Sequence, residues 1–342
     1  MSRIGFSRRA FLRRTALAAL GLLAPALRAA AEAGVYVYAD DALAQYGFAA
    51  DHPFGTDRQA AFLARAATEA LVPPLRGSRV ARRAELLHFH TAPYVDRVAG
   101  AEGAGLTALD GGDTPVVPGL YAHAATVAGT ALAGLEAILA GACTRTFQPI
   151  GGLHHAGRDH AAGFCVFNDP GIVIEALRKV HGIERIAYVD IDAHHGDGVF
   201  YAFEEDPQIV IADVHQDHRT LFPGTGRAEE TGLGAARGTK LNVELPPWSG
   251  DAAFFAAWPR VLAHVERFEP EFVLLQAGAD GLKGDPIAQL DYTPAVHARV
   301  ARDLTALADR HAHGRLMAFG GGGYDRDNLA RAWCAVVRAL RG

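Results

Sequence analysis

Along the chain, short apolar runs alternate with longer stretches in which apolar residues recur every three or four positions. The short runs are Val35–Tyr38, Ile186–Ile191, Ile209–Val214, Lys240–Val243, Phe272–Gln276 and Leu316–Phe319. Runs that are apolar throughout, rather than at every second residue, predict strands buried on both faces. The longer stretches predict helices over Asp57–Leu71, Gly119–Leu139, Pro170–Val180, Ala252–Arg267, Pro294–Ala312 and Arg326–Leu340. Strands alternating with helices predict an α/β fold, a mostly parallel sheet covered on both faces, in a single domain. No repeat, low-complexity tract or Pro/Ser-rich linker interrupts the chain after Glu32. Several predicted strands end in clusters of Gly, Asp and His, and in open parallel sheets ligands bind beyond the carboxyl ends of the strands.

The first 31 residues follow a different pattern. Arg8-Arg9-Ala10-Phe11-Leu12 precedes an apolar run from Thr15 to Leu27, and Ala29-Ala30-Ala31 follows. A charged start, an apolar centre and small residues at the end are the order of an export signal, and the paired arginines resemble the twin-arginine type. The sequence therefore divides into an export segment, 1–31, and a catalytic body, 32–342, with periplasmic location expected; an uncleaved anchor is the alternative. The segment holds six arginines and no acid. Without it, 27 Lys and Arg face 38 Asp and Glu, a net charge of −11. Such a body lacks the cationic surface that nucleic-acid binding needs and attracts cationic ligands more readily. No run of about twenty uninterrupted apolar residues follows the N-terminus, so no membrane span is expected in the mature chain. Three dispersed cysteines, Cys143, Cys165 and Cys334, exclude a disulfide framework and a cysteine zinc site.

The densest chemistry is Asp190-Ile191-Asp192-Ala193-His194-His195-Gly196-Asp197-Gly198, entered from an apolar strand. Asp190, Asp192 and His194 are spaced by two and point to one side of an extended segment. Burying them is costly without a partner, and a divalent metal held by carboxylate and imidazole removes that cost. Asp280 ends a second apolar strand, so Asp192, His194 and Asp280 make three ligands with a position left open, the pattern of a catalytic metal site. Two histidines, His154 and His155, follow Gly151-Gly152. Asp190 and Asp197, not needed for the metal, can each accept an N–H from one of them, which fixes the tautomer and raises the basicity. One histidine then serves as general base and acid. Gly320-Gly321-Gly322-Gly323-Tyr324 offers a backbone that approaches a ligand closely and a hydroxyl that can donate to an oxyanion.

Taken in order, Gly-Gly-Leu-His-His (151–155), Gly-Phe-Cys-Val-Phe-Asn-Asp (163–169), the 190–198 segment, Phe-Pro-Gly-Thr-Gly (222–226), Ala-Gly-Ala-Asp (277–280) and the glycine run ending in Tyr324 resemble the histone deacetylase family, which includes acetylpolyamine amidohydrolases and acetoin-utilisation proteins. His52-Pro53 and His88-Phe89-His90-Thr91 resemble its N-terminal elements. The resemblance implies the arginase–deacetylase fold, a three-layer domain on an eight-stranded, mostly parallel sheet. It implies zinc on Asp192, His194 and Asp280, with iron(II) an alternative and a structural potassium near the metal loop. His155 becomes the principal base and acid, His154 its electrostatic partner, Asp190 and Asp197 their orienting carboxylates, and Tyr324 the group that polarises the acyl carbonyl. Gly163 and Phe164 with Phe222 match the walls of an acyl-lysine tunnel, Asp113 its rim carboxylate, Ile287 a position at its mouth and Arg58 an arginine of an acetate channel.

The activity implied is metal-dependent hydrolysis of an N-acetylated amine, such as acetyl-lysine, to acetate and the free amine. The expected partner is a small-molecule or peptide N-acetyl amine. The glutamate gatekeeper of polyamine-selective relatives is absent, since Ile287 stands there. An acetylpolyamine amidohydrolase, another C–N metallohydrolase of the arginase kind and a catalytically silent acyl-amine binding protein are the alternatives. The intact His155, Tyr324 and ligand set speak against the last.

Overall fold

A computed structural model describes residues 34–49, 52–71 and 74–342. The export segment predicted over 1–31 lies outside these residues. In chain order the described elements are β1 (Val35–Tyr38), α1 (Arg58–Thr68), β2 (Leu75–Arg76), α2 (Arg83–Leu86), α3 (Ala92–Gly100), α4 (Leu120–Leu139), β3 (Arg145–Gln148), α5 (Asp169–Lys179), β4 (Ile186–Asp190), α6 (Asp197–Ala202), β5 (Ile209–Gln216), β6 (Lys240–Leu245), α7 (Asp251–Glu266), β7 (Phe272–Gln276), α8 (Pro294–His311), β8 (Leu316–Phe319) and α9 (Arg326–Arg341). The strands form one eight-stranded sheet in the order β2-β1-β3-β8-β7-β4-β5-β6. Every pairing is parallel. This is the arginase–deacetylase architecture in a single domain.

Two cores flank the sheet, and strand residues alternate between them. Ile186 and Tyr188 of β4 pack with α4 and α5, whereas Ala187 and Val189 pack on the side of α1, α7, α8 and α9. Both sets are apolar because both faces are covered, which is why the strand reads as a continuous run. Helix α4 is long and apolar enough by composition to cross a membrane. Its length is accounted for inside the fold, where Ala124, Val127, Ala128, Ala131 and Leu135 are fully buried in one core.

The helix starts carry their own signals. Asn168 accepts the Gly171 N–H with Pro170 in the first turn of α5, Thr293 accepts the Ala295 N–H ahead of Pro294, and Asp325 accepts the Asn328 N–H. The pattern-based reading places six strands and six helices within a few residues and misses the rest. Strand β3 escaped because Arg145 and Thr146 open it, yet it pairs with β1 and β8 near the middle of the sheet. Strand β2 is two exposed residues at the edge, and α2, α3 and α6 are too short for a helical period to show.

Candidate metal centre and acid–base pair

Strands β4 and β7 are neighbours in register, with Asp190 opposite Gln276. The chain therefore leaves both strands side by side, at the C-terminal edge of the sheet. The loop after β4 carries Asp192 and His194, and the loop after β7 carries Asp280. His194 Nδ1 lies 3.0 Å from Asp192 Oδ1 and 3.0 Å from Asp280 Oδ2. One donor atom from each of the three residues falls within 4.8 Å of the others, and all three are buried. Asp190, Asp192 and His194 do not all point to one side as their spacing predicts. The strand ends at Asp190, the segment beyond it is a loop, and Asp190 turns away from the ligands toward His154.

The remaining contacts hold the ligands still. Asp192 Oδ2 accepts from Gln276 Nε2 at 2.8 Å and from the Gly322 N–H at 2.8 Å, and Asp280 Oδ1 accepts the Ala193 N–H at 2.8 Å. A Cβ at Gly322 would sit 2.0 Å from Asp280 Oδ2, so the glycine run closes directly over the cluster. The electrostatics show what the donor set suits. Burial opposes a charge on His194, but Asp192 and Asp280 outweigh it and hold the ring's pKa up at about 10. Burial, then the Asp192 charge, pushes Asp280 up to about 7. Two buried carboxylates converge on one proton-bearing ring, a position that a divalent cation fills better than a proton. The donor set therefore fits a zinc-type metal.

Beside this cluster His154 and His155 form two dyads. His154 Nδ1 lies 2.8 Å from Asp190 Oδ2, and His155 Nδ1 lies 2.7 Å from Asp197 Oδ1. Their Nε2 atoms face each other at 3.1 Å. Burial works against a charge on His154, yet Asp190 and Asp192 push its pKa up to about 9. Burial and the neighbouring His154 charge push His155 down to about 4 despite Asp197. At neutral pH the pair is one imidazolium and one free base. Asp197 fixes the tautomer of His155, with Nδ1–H toward the acid and Nε2 free, while Asp190 accepts the Nδ1–H of His154.

The predicted wall residues converge on His155. Its ring centroid is 5.0 Å from that of Phe222 and 5.8 Å from that of His194. A Cβ at Gly163 would lie 2.6 Å from the His155 ring and 2.8 Å from the Phe222 ring, so only glycine fits between them. Phe164 packs edge-on to Tyr324 at 5.9 Å and to His52 at 4.6 Å. Asp113 is exposed, and its carbonyl oxygen lies 3.4 Å from His52 Nε2, which places it on the rim beside Phe164 and away from the catalytic cluster. Ile287 is half-buried in the next loop, its N–H donating to Asp285.

Arg58 is fully buried beneath the glycine run. Its Nε donates to the Gly323 carbonyl at 3.0 Å and its Nη2 to that of Gly321 at 2.5 Å, while Nη1 has no partner among the described residues. The guanidinium lies 4.1 Å from the Phe54 ring centroid and 5.9 Å from that of Tyr324. Burial lowers its pKa to about 10, which leaves it a cation. Burial also pushes the Tyr324 hydroxyl well above its usual range, so it stays a donor.

Four supporting groups went unrecognised in the sequence. Gln276 bridges β7 to Asp192. Asp169 accepts the N–H groups of Gly152 and Leu153 and so fixes the turn that presents His154. Asp285 accepts the Tyr324 N–H at 2.9 Å. His195 Nδ1 bonds the Thr225 hydroxyl at 2.9 Å, tying the metal loop to the loop of Phe222. Three of the four stand within or beside the segments that carry the resemblance, but each acts on a partner distant in sequence.

Comparison with known proteins agrees with this geometry. A family model described as "Histone deacetylase domain" matches residues 52–340. The chain is 34% identical over 273 residues to the acetoin utilization protein AcuC of Bacillus subtilis, covering 77% of this chain and 70% of that one. It is 36% identical over 276 residues to a histone deacetylase-like amidohydrolase of Pseudomonas aeruginosa, covering 78% and 70%. Among solved structures, an HDAC homolog from Aquifex aeolicus superposes with a TM-score of 0.81 at 32% identity, over 90% of this chain and 84% of that one.

Proposed function

The chain is a member of the histone deacetylase family, and from that premise we propose that it hydrolyses the amide of an N-acetylated amine, acetyl-lysine in particular, to acetate and the free amine. The observation that carries the reading is His155, paired with Asp197, set beside the cluster of Asp192, His194 and Asp280 with the Phe222 ring against it. Zinc suits two carboxylates and an imidazole with a position left open, and iron(II) suits the same donors. A metal on Asp192, His194 and Asp280 supplies Lewis-acid polarisation of the acyl group and of the attacking water. Potassium in the metal loop is a further part of the proposal that rests on the family alone.

The protein's own groups do the rest. His155 Nε2 accepts a proton as water attacks the acyl carbon, while Asp197 holds the other ring nitrogen protonated and stabilises the imidazolium. His154 already carries its proton, held by Asp190, and so does not compete as base. The Tyr324 hydroxyl donates to the oxygen that gains charge. His155 then returns its proton to the amine nitrogen as the C–N bond breaks. The Arg58 cation beneath Tyr324 lines a route for the acetate anion. Asp113 on the rim holds the substrate backbone. Flat walls at Phe164 and Phe222 favour a slender alkyl chain, and the apolar Ile287 favours a lysine-like amine over a polyamine.

We extend the proposal to location: residues 1–31 direct the folded enzyme to the periplasm, leaving 32–342 as the catalytic body. Cell fractionation with an antibody to the body tests this, and a purely cytoplasmic signal would overturn it. The activity is tested by acetate release from an acetyl-lysine peptide and from N-acetylputrescine. We expect His155→Ala to lower kcat by about 10²–10⁴-fold and Tyr324→Phe by about 10²–10³-fold. Metal-loaded wild type that binds the peptide and releases no acetate would instead point to a silent binding protein.

A further inference from the structure

Trp248 combines two features that rarely coincide. At 70% exposure it is the most exposed large apolar side chain among the described residues, and its backbone is left-handed, with φ of 70°. A bulky residue with positive φ is strained, and such strain persists where the surroundings impose it, often at a site of function. Here the surroundings do impose it. The Trp248 N–H donates to the Gln289 carbonyl at 2.5 Å, the Asp291 N–H donates to the Ser249 carbonyl at 2.9 Å, and Gly250 bridges Asp291. The indole itself has no hydrogen bond and no ring contact among the described residues. The strain therefore secures no ring stacking and no indole hydrogen bond among the described residues.

Position suggests what the side chain serves. Trp248 follows β6 at the C-terminal edge of the sheet, the edge that carries the metal ligands. Its pairing segment leads inward to the site in two directions. Gln289 accepts from Gln216 Nε2 at 2.6 Å, and the same amide donates to Thr220, two residues before Phe222. Gln289 also donates to the Ile287 carbonyl; Ile287 donates to Asp285, and Asp285 accepts the Tyr324 N–H. Trp248 thus stands on the site's edge of the sheet, its backbone bonded to Gln289, two residues beyond Ile287.

The acidic groups of the neighbouring segments have partners of different kinds. Asp291 pairs with Lys283, Asp217 with Arg219 and Glu244 with His218, and Asp251 accepts from Thr293. An exposed aromatic surface on the face that carries the site offers its ring to an apolar side chain. We infer that Trp248 is a specificity-determining residue that docks an aromatic or aliphatic side chain flanking the acetylated lysine of a peptide substrate. This rests on the deacetylase reading of the site.

The test uses Trp248→Gly on the metal-loaded full chain with three substrates: acetyl-lysine capped at both ends, an acetyl-lysine peptide flanked by Phe and Leu, and the same peptide flanked by Gly. Glycine accepts the left-handed backbone, so Tm rises or holds. KM for the Phe/Leu peptide rises about tenfold or more, while kcat and the capped substrate are unchanged. Loss on all three substrates alike, or no change in KM for the Phe/Leu peptide, overturns the inference. A second readout is independent of catalysis. Trp258 and Trp333 are buried, so the red-edge tryptophan emission reports Trp248, and the Phe/Leu peptide shifts it to the blue in wild type and in His155→Ala. If no substrate releases acetate, the deacetylase reading fails, yet the shift still supports docking; if the shift is absent, docking fails whatever the activity.

Discussion

At the C-terminal ends of β4 and β7, Asp192, Asp280 and His194 are buried with two carboxylates converging on one ring. At the opposite end of the same sheet Lys240 opens β6 and is buried as deeply. Its ammonium donates to the carbonyls of Asp206 at 2.8 Å and Ile209 at 2.5 Å, and to the Thr239 hydroxyl at 2.9 Å. Three donors meet three acceptors, with no carboxylate and no ligand required. Burial pushes the lysine's pKa down to about 8, which the oxygen cage tolerates. The contrast separates two uses of buried charge. Where the chain itself completes the inventory of partners, the charge ties segments of the fold together. Where negative charge is left in excess, the fold is arranged around something it must bind.

The largest break in this contrast comes from removing a ligand. Asp280→Ala should abolish acetate release and weaken zinc binding more than about 100-fold, beyond the effect of losing an outer-shell partner. Elemental analysis after dialysis and a zinc titration check it. Retained metal with retained activity would show that the cluster is not the site. Lys240→Met tests the other end. It strips partners from one buried and one partly buried carbonyl, so we expect a loss of roughly 1–3 kcal/mol in denaturant unfolding. The kcat/KM of the folded fraction should not change, and a comparable fall there would mean that the two ends are coupled.

A finer test concerns the histidine pair. His155 acts as a free base and His154 as a cation, so kcat/KM should fall on the acid side toward pH 4 and on the basic side near pH 9. Asp190→Asn removes the charge that holds the His154 proton, so the basic limb should move to lower pH by about one to two units, with the acid limb less affected. The sign for stability follows the same group. A pKa raised in the folded state adds stability below the unfolded value of about 6.5, and that increment is lost as pH rises through about 9. A basic limb unmoved by Asp190→Asn would place it on another group.

Much of the site could be read directly from the residues because each segment joins its chemistry to a local structural signal. Apolar strand, then Asp, Gly and His, is what a parallel strand ending in a site looks like, and it occurs here after β4 and again after β7. The ligand trio, both dyads and the Tyr324 loop come together as those segments suggest. The supporting groups were harder to see. Gln276 reads as the polar end of a strand until β7 lies beside β4, and Asp169 reads as the first residue of a helix until the turn at Gly152 is seen to rest on it.

The alternation of elements, the residue types suited to binding metal and moving protons, and their order along the chain were all legible in the residues, since these depend on neighbours within a few positions. Tertiary structure alone decided that Gln276 and the Gly322 N–H hold Asp192 in place, that Lys240 is closed into an oxygen cage, and that Trp248 is held left-handed and exposed. Each depends on the register between distant strands and on loops that meet only in the folded chain, where backbone hydrogen bonds and burial settle which of several possible partners a side chain receives.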